Sequence, residues 1–432
     1  VNRSIACLAV ALAGLITAPA ALAARAPVSA PAATTTAPPD NAVVRWNRFL
    51  LGLQATPGNQ PATVHPTYDL ALTHAAIYDA AVSIDRSAAP YMTDVHGPHS
   101  ASEPAAVDAA AHDTLAALYP ALASSIDNHY AGELAQIPDS RHKEQGTNVG
   151  QAVAKELLAA RTDDGSSASL LPFTPGINPG DYQLTPAAFA QPVFTHWRFV
   201  RPFALQDAAQ FRPPPPPALT SPEYGAAINE VKTLGVAQGS TRTADQTQIG
   251  IFWNPPIWAA WNQIAETAAL AHTRTLSGDA RTFAELNLTF ADSVIAFYDA
   301  KYTYAFWRPV TAIRHADADG NADTIADPNW TPLSNTAADP SYPGAHGTIS
   351  AAGAKVLGSI YGNDVTFSVT SPALPGVTRS FSSFSQAAAE ASVSRIYNGN
   401  HTRVDQVAGE TLGQDVAGFV LANFLTRGHG AL

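Results

Sequence analysis

The chain has 432 residues, 35 of them acidic against 24 basic, and a formal net charge of −11. That balance argues against binding to nucleic-acid backbones or anionic membrane surfaces, both of which need a cationic face. One cysteine, Cys7, excludes a disulfide framework, and abundant alanine with few β-branched runs points to helices.

Residues 1–23 read as a secretion signal. Arg3 supplies the positive start, Ile5 to Ile16 the apolar core, and Ala21, Leu22 and Ala23 a small-x-small cleavage site. The apolar run is too short to span a bilayer, so export follows (secreted or periplasmic) without stable membrane insertion. Cleavage would also remove Cys7. Val1 reads as an alternative start codon and hence a bacterial source. Residues 24–40, rich in Ala, Pro, Thr and Ser, form a low-complexity tether.

Helical spacing then runs over 66–84, 103–119, 122–136 and 144–161, divided by Pro, Gly or Asp-rich breaks. Residues 165–220 lack a period and include Pro213 to Pro217; they are expected to lie as an extended coat, with a polyproline ligand as the alternative. Helical patterning returns at 221–235, 241–253, 257–276, 279–306, 347–361, 384–397 and 402–426. No alternating strand–helix pattern or glycine-rich phosphate loop occurs, which argues against a Rossmann or P-loop protein. The expectation is an all-α protein of two packed helical bundles. An N-terminal half, 41–256, carries the proline-rich coat, and a C-terminal domain, 257–432, holds the chemistry.

Three segments of that last third concentrate cations and histidines. Lys301, one of only five lysines, lies seven residues before Arg308, which returns both to nearly the same helix face. Pro309 disfavours helical geometry at Arg308, so the helix should end there with the guanidinium in a cavity. Arginine grips two oxygens at once, and lysine adds a point charge. Next, Pro343, Gly344, Ala345 and His346 precede a small-residue helix, whose free first-turn amides attract anions; His346 at its rim suits acid–base work. Finally, Arg395 and His401 stand six apart, too far round one helix to meet. Asn398, Gly399 and Asn400 read as a helix stop with Asn400 capping the next helix, and Asp405, one turn past His401, is placed to accept its Nδ1 proton. Solvated helix ends and a structural histidine are the bland alternatives. A further stretch, Asp317 to Asp323, is rich in oxygen ligands but puts glycine in the wrong place for an EF-hand; it reads as a solvated acidic loop, with a bound calcium as the alternative.

In this order the segments resemble the signature of the vanadium-dependent haloperoxidase and type-2 phosphatidic acid phosphatase superfamily: K-x6-R-P, then P-S-G-H, then S-R-x5-H-x3-D. The first and third parts match in full, and Gly344 stands where the family has serine. Trp46, Asn47, His74, Asp79, Phe211 to Pro217, Phe252 and Trp253 extend the likeness to long secreted bacterial members, over nearly the whole mature chain. The resemblance implies vanadate as cofactor, with Lys301, Arg308 and Arg395 on its oxygens and the Ala345 amide on another. It implies His401 Nε2 as the single protein bond to vanadium, Asp405 behind it, and His346 as the acid–base. It also implies hydrogen peroxide, a halide and a small organic molecule as reactants, and a hypohalous-acid equivalent as product. The same pocket fits a secreted acid phosphatase, needing no cofactor and working through a phosphohistidine at His401; a non-halogenating binding protein is a third reading. The hydroxyl missing at Gly344 removes one hydrogen bond to the anion, about 1–3 kcal/mol, so weaker vanadate binding is expected. Tyr298 and Asp339 fall where a wall around the halide is conceivable.

Overall fold

In the computed structural model, described over residues 40–426, thirteen α-helices and one short β-hairpin surround a main core with members from Ala42 to Leu425 and a smaller one around Trp307 and Trp330. The signal assigned to 1–23 and the tether assigned to 24–40, apart from Asp40, lie outside the described residues, and none of the described helices is long and apolar enough to cross a membrane. The first bundle holds α1 (Ala42–Ala55), α2 (Pro66–Asp85), α3 (Glu103–Leu118), α4 (Ala123–Leu134) and α5 (Arg141–Ala160). α6 (Pro222–Leu234), α7 (Ala244–Phe252) and α8 (Ile257–Ala271) lead into the 29-residue α9 (Leu276–Tyr304). After α10 (Pro309–Arg314), the second bundle closes with α11 (Ala345–Tyr361), α12 (Phe384–Tyr397) and α13 (Arg403–Asn423).

Most of these elements follow the sequence periodicity. α1, α10 and the antiparallel hairpin of β1 (Phe367–Thr370) and β2 (Thr378–Phe381) were not expected. α2 and α9 are buried on nearly every side and pack on one another, so a helix of each bundle contributes to a common core.

Residues 165–220 do form a coat, with only one short 3₁₀ turn at Trp197–Phe199. Buried polar groups clip it down. The Asp292 carboxylate of α9 accepts backbone N–H bonds from Phe203, Ala204 and Leu205 at 2.6–2.8 Å. Burial and these bonds act in opposite senses on its pKa, and burial prevails, raising it to about 6. Tyr304 and Tyr342 donate their hydroxyls to the carbonyls of Pro213 and Pro214, at 2.6 and 2.7 Å. The proline run is thereby pinned to the second bundle rather than held out as a ligand.

The coat also corrects one expectation. α9 stops at Tyr304, not at Arg308, because Ala305 adopts a left-handed conformation (φ 44°). Residues 305–307 then pair with the coat: Tyr182 N–H donates to Ala305 O at 2.6 Å, and Trp307 N–H to Gly180 O at 2.9 Å. Lys301 and Arg308 therefore do not share a helix face. Arg308 sits in extended backbone as the residue capping α10, with Pro309 in the first turn, where its missing N–H costs nothing.

The acidic loop after α10 is also not simply solvated. Asp319 is buried, accepting from the Asn321 amide at 2.7 Å and the Thr324 hydroxyl at 2.8 Å. Asn321 in turn donates to Leu219 O and Ser221 O at 2.7 and 2.9 Å. The Asp319 carboxylate is spent within the loop, and the Asn321 side-chain nitrogen fastens the loop to residues 219 and 221. Among the described residues no group of three or more His, Cys, Asp or Glu is arranged to hold a metal ion.

Candidate active site

Three helix ends and one loop meet beneath the coat. Lys301, in the last turn of α9, is fully buried; Arg308 and Arg395 are 1% and 6% exposed, and His401 is 3% exposed. Such burial of three cations is costly unless each has partners, and the partners define the site.

Arg308 is the hub. Its Nε donates to Asp339 O at 2.7 Å, its Nη2 pairs with the Asp339 carboxylate, and its Nη1 donates to Asn400 O and to His401 Nε2, both at 3.0 Å. Lys301 Nζ reaches Asp339 Oδ2 at 3.2 Å and donates to the carbonyls of Pro340 and Ser341. Burial lowers the Lys301 pKa to about 8, with Asp339 opposing. Burial works against ionising Asp339, but Lys301 and Arg308 outweigh it and hold that carboxylate below its usual range.

Arginine can only donate, so His401 Nε2 must be the unprotonated nitrogen. Its proton sits on Nδ1, facing Asp405 Oδ2 at 3.3 Å. Asp405 is oriented by the Ser341 hydroxyl at 2.7 Å and the Thr402 amide at 2.8 Å. Burial and the charges of Arg308, Lys301 and Arg395 push the His401 pKa far down, so the ring is neutral and its Nε2 lone pair points at the cations. The turn that achieves this is the expected helix stop: Asn398 ends α12, Gly399 takes a positive φ of 83°, and both Asn400 and His401 donate their amides to Arg395 O. The cap of α13 differs. Thr402, not Asn400, is the N-cap, and it forms a capping box with Asp405, because the turn needs one residue more to bring His401 inward.

Arg395 is the least compensated cation. Its Nη1 donates to Asn254 at 3.1 Å, and its Nε is buried without a partner. Burial, and then the charge of Arg308, bring its pKa down to about 9.

The fourth side is the start of α11. Gly344 is its N-cap, and the amides of Ala345 and His346 precede the first intrahelical bond, from Thr348 N–H to Gly344 O at 3.0 Å. His346 is half-buried. Its Nε2 lies 2.9 Å from Trp253 O, and a carbonyl only accepts, so Nε2 carries the proton and Nδ1 is the free base. Burial, then the charges of Arg395 and His401, hold its pKa well below the usual histidine value. Close packing fixes α11 on α13: a Cβ at Gly413 would stand 2.0 Å from Thr348 O.

All eight residues picked out by motif thus gather at one place, and an oxyanion suits it. Three buried cations supply positive charge, the first-turn amides of an α-helix and the unpartnered Arg395 Nε supply donors, and the His401 Nε2 carries no proton. Several members escaped the sequence reading. Asp339, expected as part of a wall around a halide, is instead paired with Lys301 and Arg308; Ser341, Asn254 and Gln406 carried no expectation. Their only sequence signal is nearness to the motifs. Tyr298 is buried in an aromatic wall with His65 and Phe194.

Residues 281–427 match the family model described as the VCPO second helical-bundle domain. The vanadium chloroperoxidase of Curvularia inaequalis is 29% identical over 173 residues, 32% of this chain and 27% of that protein. The matched stretch therefore spans about a quarter of that relative's length. Among solved structures, a bacterial vanadium-dependent iodoperoxidase superposes with a TM-score of 0.76 at 22% identity, covering 91% of this chain and all of that one. A holo-type bacterial vanadium-dependent chloroperoxidase superposes at 0.64 and 15% identity, over 88% and 96% of the two chains. The fold is the one these structures share, and the comparisons support the vanadium haloperoxidase superfamily.

Proposed function

We propose that this chain, with the fold and C-terminal bundle of the vanadium haloperoxidase superfamily, oxidises a halide with hydrogen peroxide at a vanadate held through His401. One observation supports the reading: Arg308 donates to the unprotonated Nε2 of a buried imidazole that the nearby charges of Lys301 and Arg395 also help to keep neutral. Bound there, vanadate supplies a Lewis-acidic centre that activates peroxide toward halide. The three cations would neutralise its oxygens, and the Ala345 amide would donate to another. Asp405 holds the Nδ1 proton of His401, which keeps Nε2 directed inward. His346, with Nδ1 free and Nε2 anchored on Trp253, would take a proton from incoming peroxide and return it to the departing oxygen. The C-terminal half from residue 257 carries this chemistry, with the coat excluding water, and residues 1–23 direct export.

The test is one assay panel on purified protein, with and without orthovanadate. Vanadate-dependent halogenation of a phenol-type acceptor, given peroxide and chloride, bromide or iodide in turn, is expected. Vanadate-independent hydrolysis of p-nitrophenyl phosphate, without halogenation, would instead establish a phosphatase working through His401 as nucleophile.

A further inference from the structure

Gly344 leaves more than a gap. Its backbone (φ −78°, ψ 114°) suits any residue, so glycine is not there for conformational freedom. What a side chain would meet is Gln406: an added Cβ would stand 2.1 Å from Gln406 Nε2 and 2.6 Å from its Cδ, so the carboxamide would have to leave its place. The carboxamide of Gln406, five residues after His401, thus fills the volume that a residue-344 side chain would enter.

The orientation of that carboxamide is fixed. Its Oε1 accepts the Gly347 amide at 2.9 Å, and a backbone N–H can bond only the oxygen end. Nε2 must therefore be the end turned toward Gly344 and the start of α11. Gln406 is 1% exposed, and Nε2 is buried with no partner. A buried amide donor left unpaired is costly, and one beside Gly344 at the start of α11, the amide side of the site, calls for an acceptor.

Resting on the oxyanion-site reading above, we infer that Gln406 is an anion-binding residue, its Nε2 donating to an oxygen of the bound phosphate or vanadate in place of a residue-344 side chain. The carboxamide also relays the helix terminus. Gly347 N–H polarises Oε1, which strengthens donation from Nε2, so a first-turn amide of α11 acts on the anion at one remove. The sequence-based expectation for Gly344 is accordingly reversed. A serine there would have to displace the Gln406 carboxamide from its bond with Gly347 before it could donate, whereas Gly344 and Gln406 together form one device.

Calorimetric titration of the full chain with inorganic phosphate, and separately with orthovanadate, tests this without any turnover. Gln406→Glu keeps the oxygen facing Gly347 and removes the donor; binding of both anions is expected to weaken roughly 10- to 100-fold. Gln406→Ala should show a similar loss. The double variant Gly344→Ser/Gln406→Ala, where the space is free, should recover most of it, although Gly344→Ser alone binds more weakly than native protein. A phosphate-bound crystal structure of native protein, with Nε2 in hydrogen-bond reach of an anion oxygen, would agree independently of any variant. Native protein that binds the anions while both Gln406 variants bind as tightly overturns the inference but leaves the site standing. Native protein that binds neither anion overturns both.

Discussion

Replacing Arg395 by methionine should move stability and affinity in opposite directions. The guanidinium is 6% exposed, with one neutral partner, Asn254, and an unpaired Nε. Burial, then Arg308, lower its pKa from 12.5 to about 9. At pH 7 the group is charged in both folded and unfolded chains, so the penalty for folding it is the full difference, about 5 kcal/mol at most. Arg395→Met discards that penalty, loses the Asn254 bond and fills a similar volume. Urea unfolding of the ligand-free variant should therefore show a gain of about 1–4 kcal/mol. The same change removes a buried partner of the anion, which costs about 2–5 kcal/mol, or roughly 30- to 4,000-fold in phosphate or vanadate affinity by calorimetry. Saturating phosphate should then stabilise native protein far more than the variant. A variant that is less stable without ligand, yet binds phosphate as native protein does, would refute the view that Arg395 is buried for an anion's sake.

Two further outcomes follow from the packing. Gly413→Ala places a Cβ 2.0 Å from Thr348 O, a backbone atom that cannot turn aside. α13 must draw back from α11, at a cost of about 1–3 kcal/mol, and anion affinity should fall with it because His401 moves with α13. His74 bonds Asn47 at 2.9 Å and is fully buried, and burial lowers its pKa from 6.5 to about 3. Between those values the unfolded chain binds the proton and the folded one does not, so stability is present above pH 6.5 and lost on acidification. Thermal melts of native protein and His74→Gln should converge as pH falls through that window, by up to about 1.4 kcal/mol per pH unit. A gap independent of pH would refute the assignment.

What the sequence made legible was local. α12 has the expected bounds, and the helix stop at Asn398 to Asn400 brings Arg395 and His401 together as its turn chemistry requires. α1 was readable and overlooked: Asn41 caps it, and Val43, Trp46, Leu50 and Leu53 mark its buried face. The early end of α9 was not legible, because it is imposed by the backbone of Gly180 and Tyr182, more than a hundred residues away. Asp339 and Gln406 were hidden for a related reason. Their roles depend on which atoms face Lys301, Arg308 and Gly344 across the bundle, and no spacing within one helix encodes that.

The most direct measurement is X-ray absorption on protein loaded with one equivalent of orthovanadate, paired with the anomalous density of vanadium in a crystal. A single imidazole nitrogen bound to vanadium, density adjoining His401 Nε2 between the three cations, and loss of both in His401→Ala is the predicted result. Vanadium bound elsewhere, or retained unchanged when His401 is removed, would contradict the account.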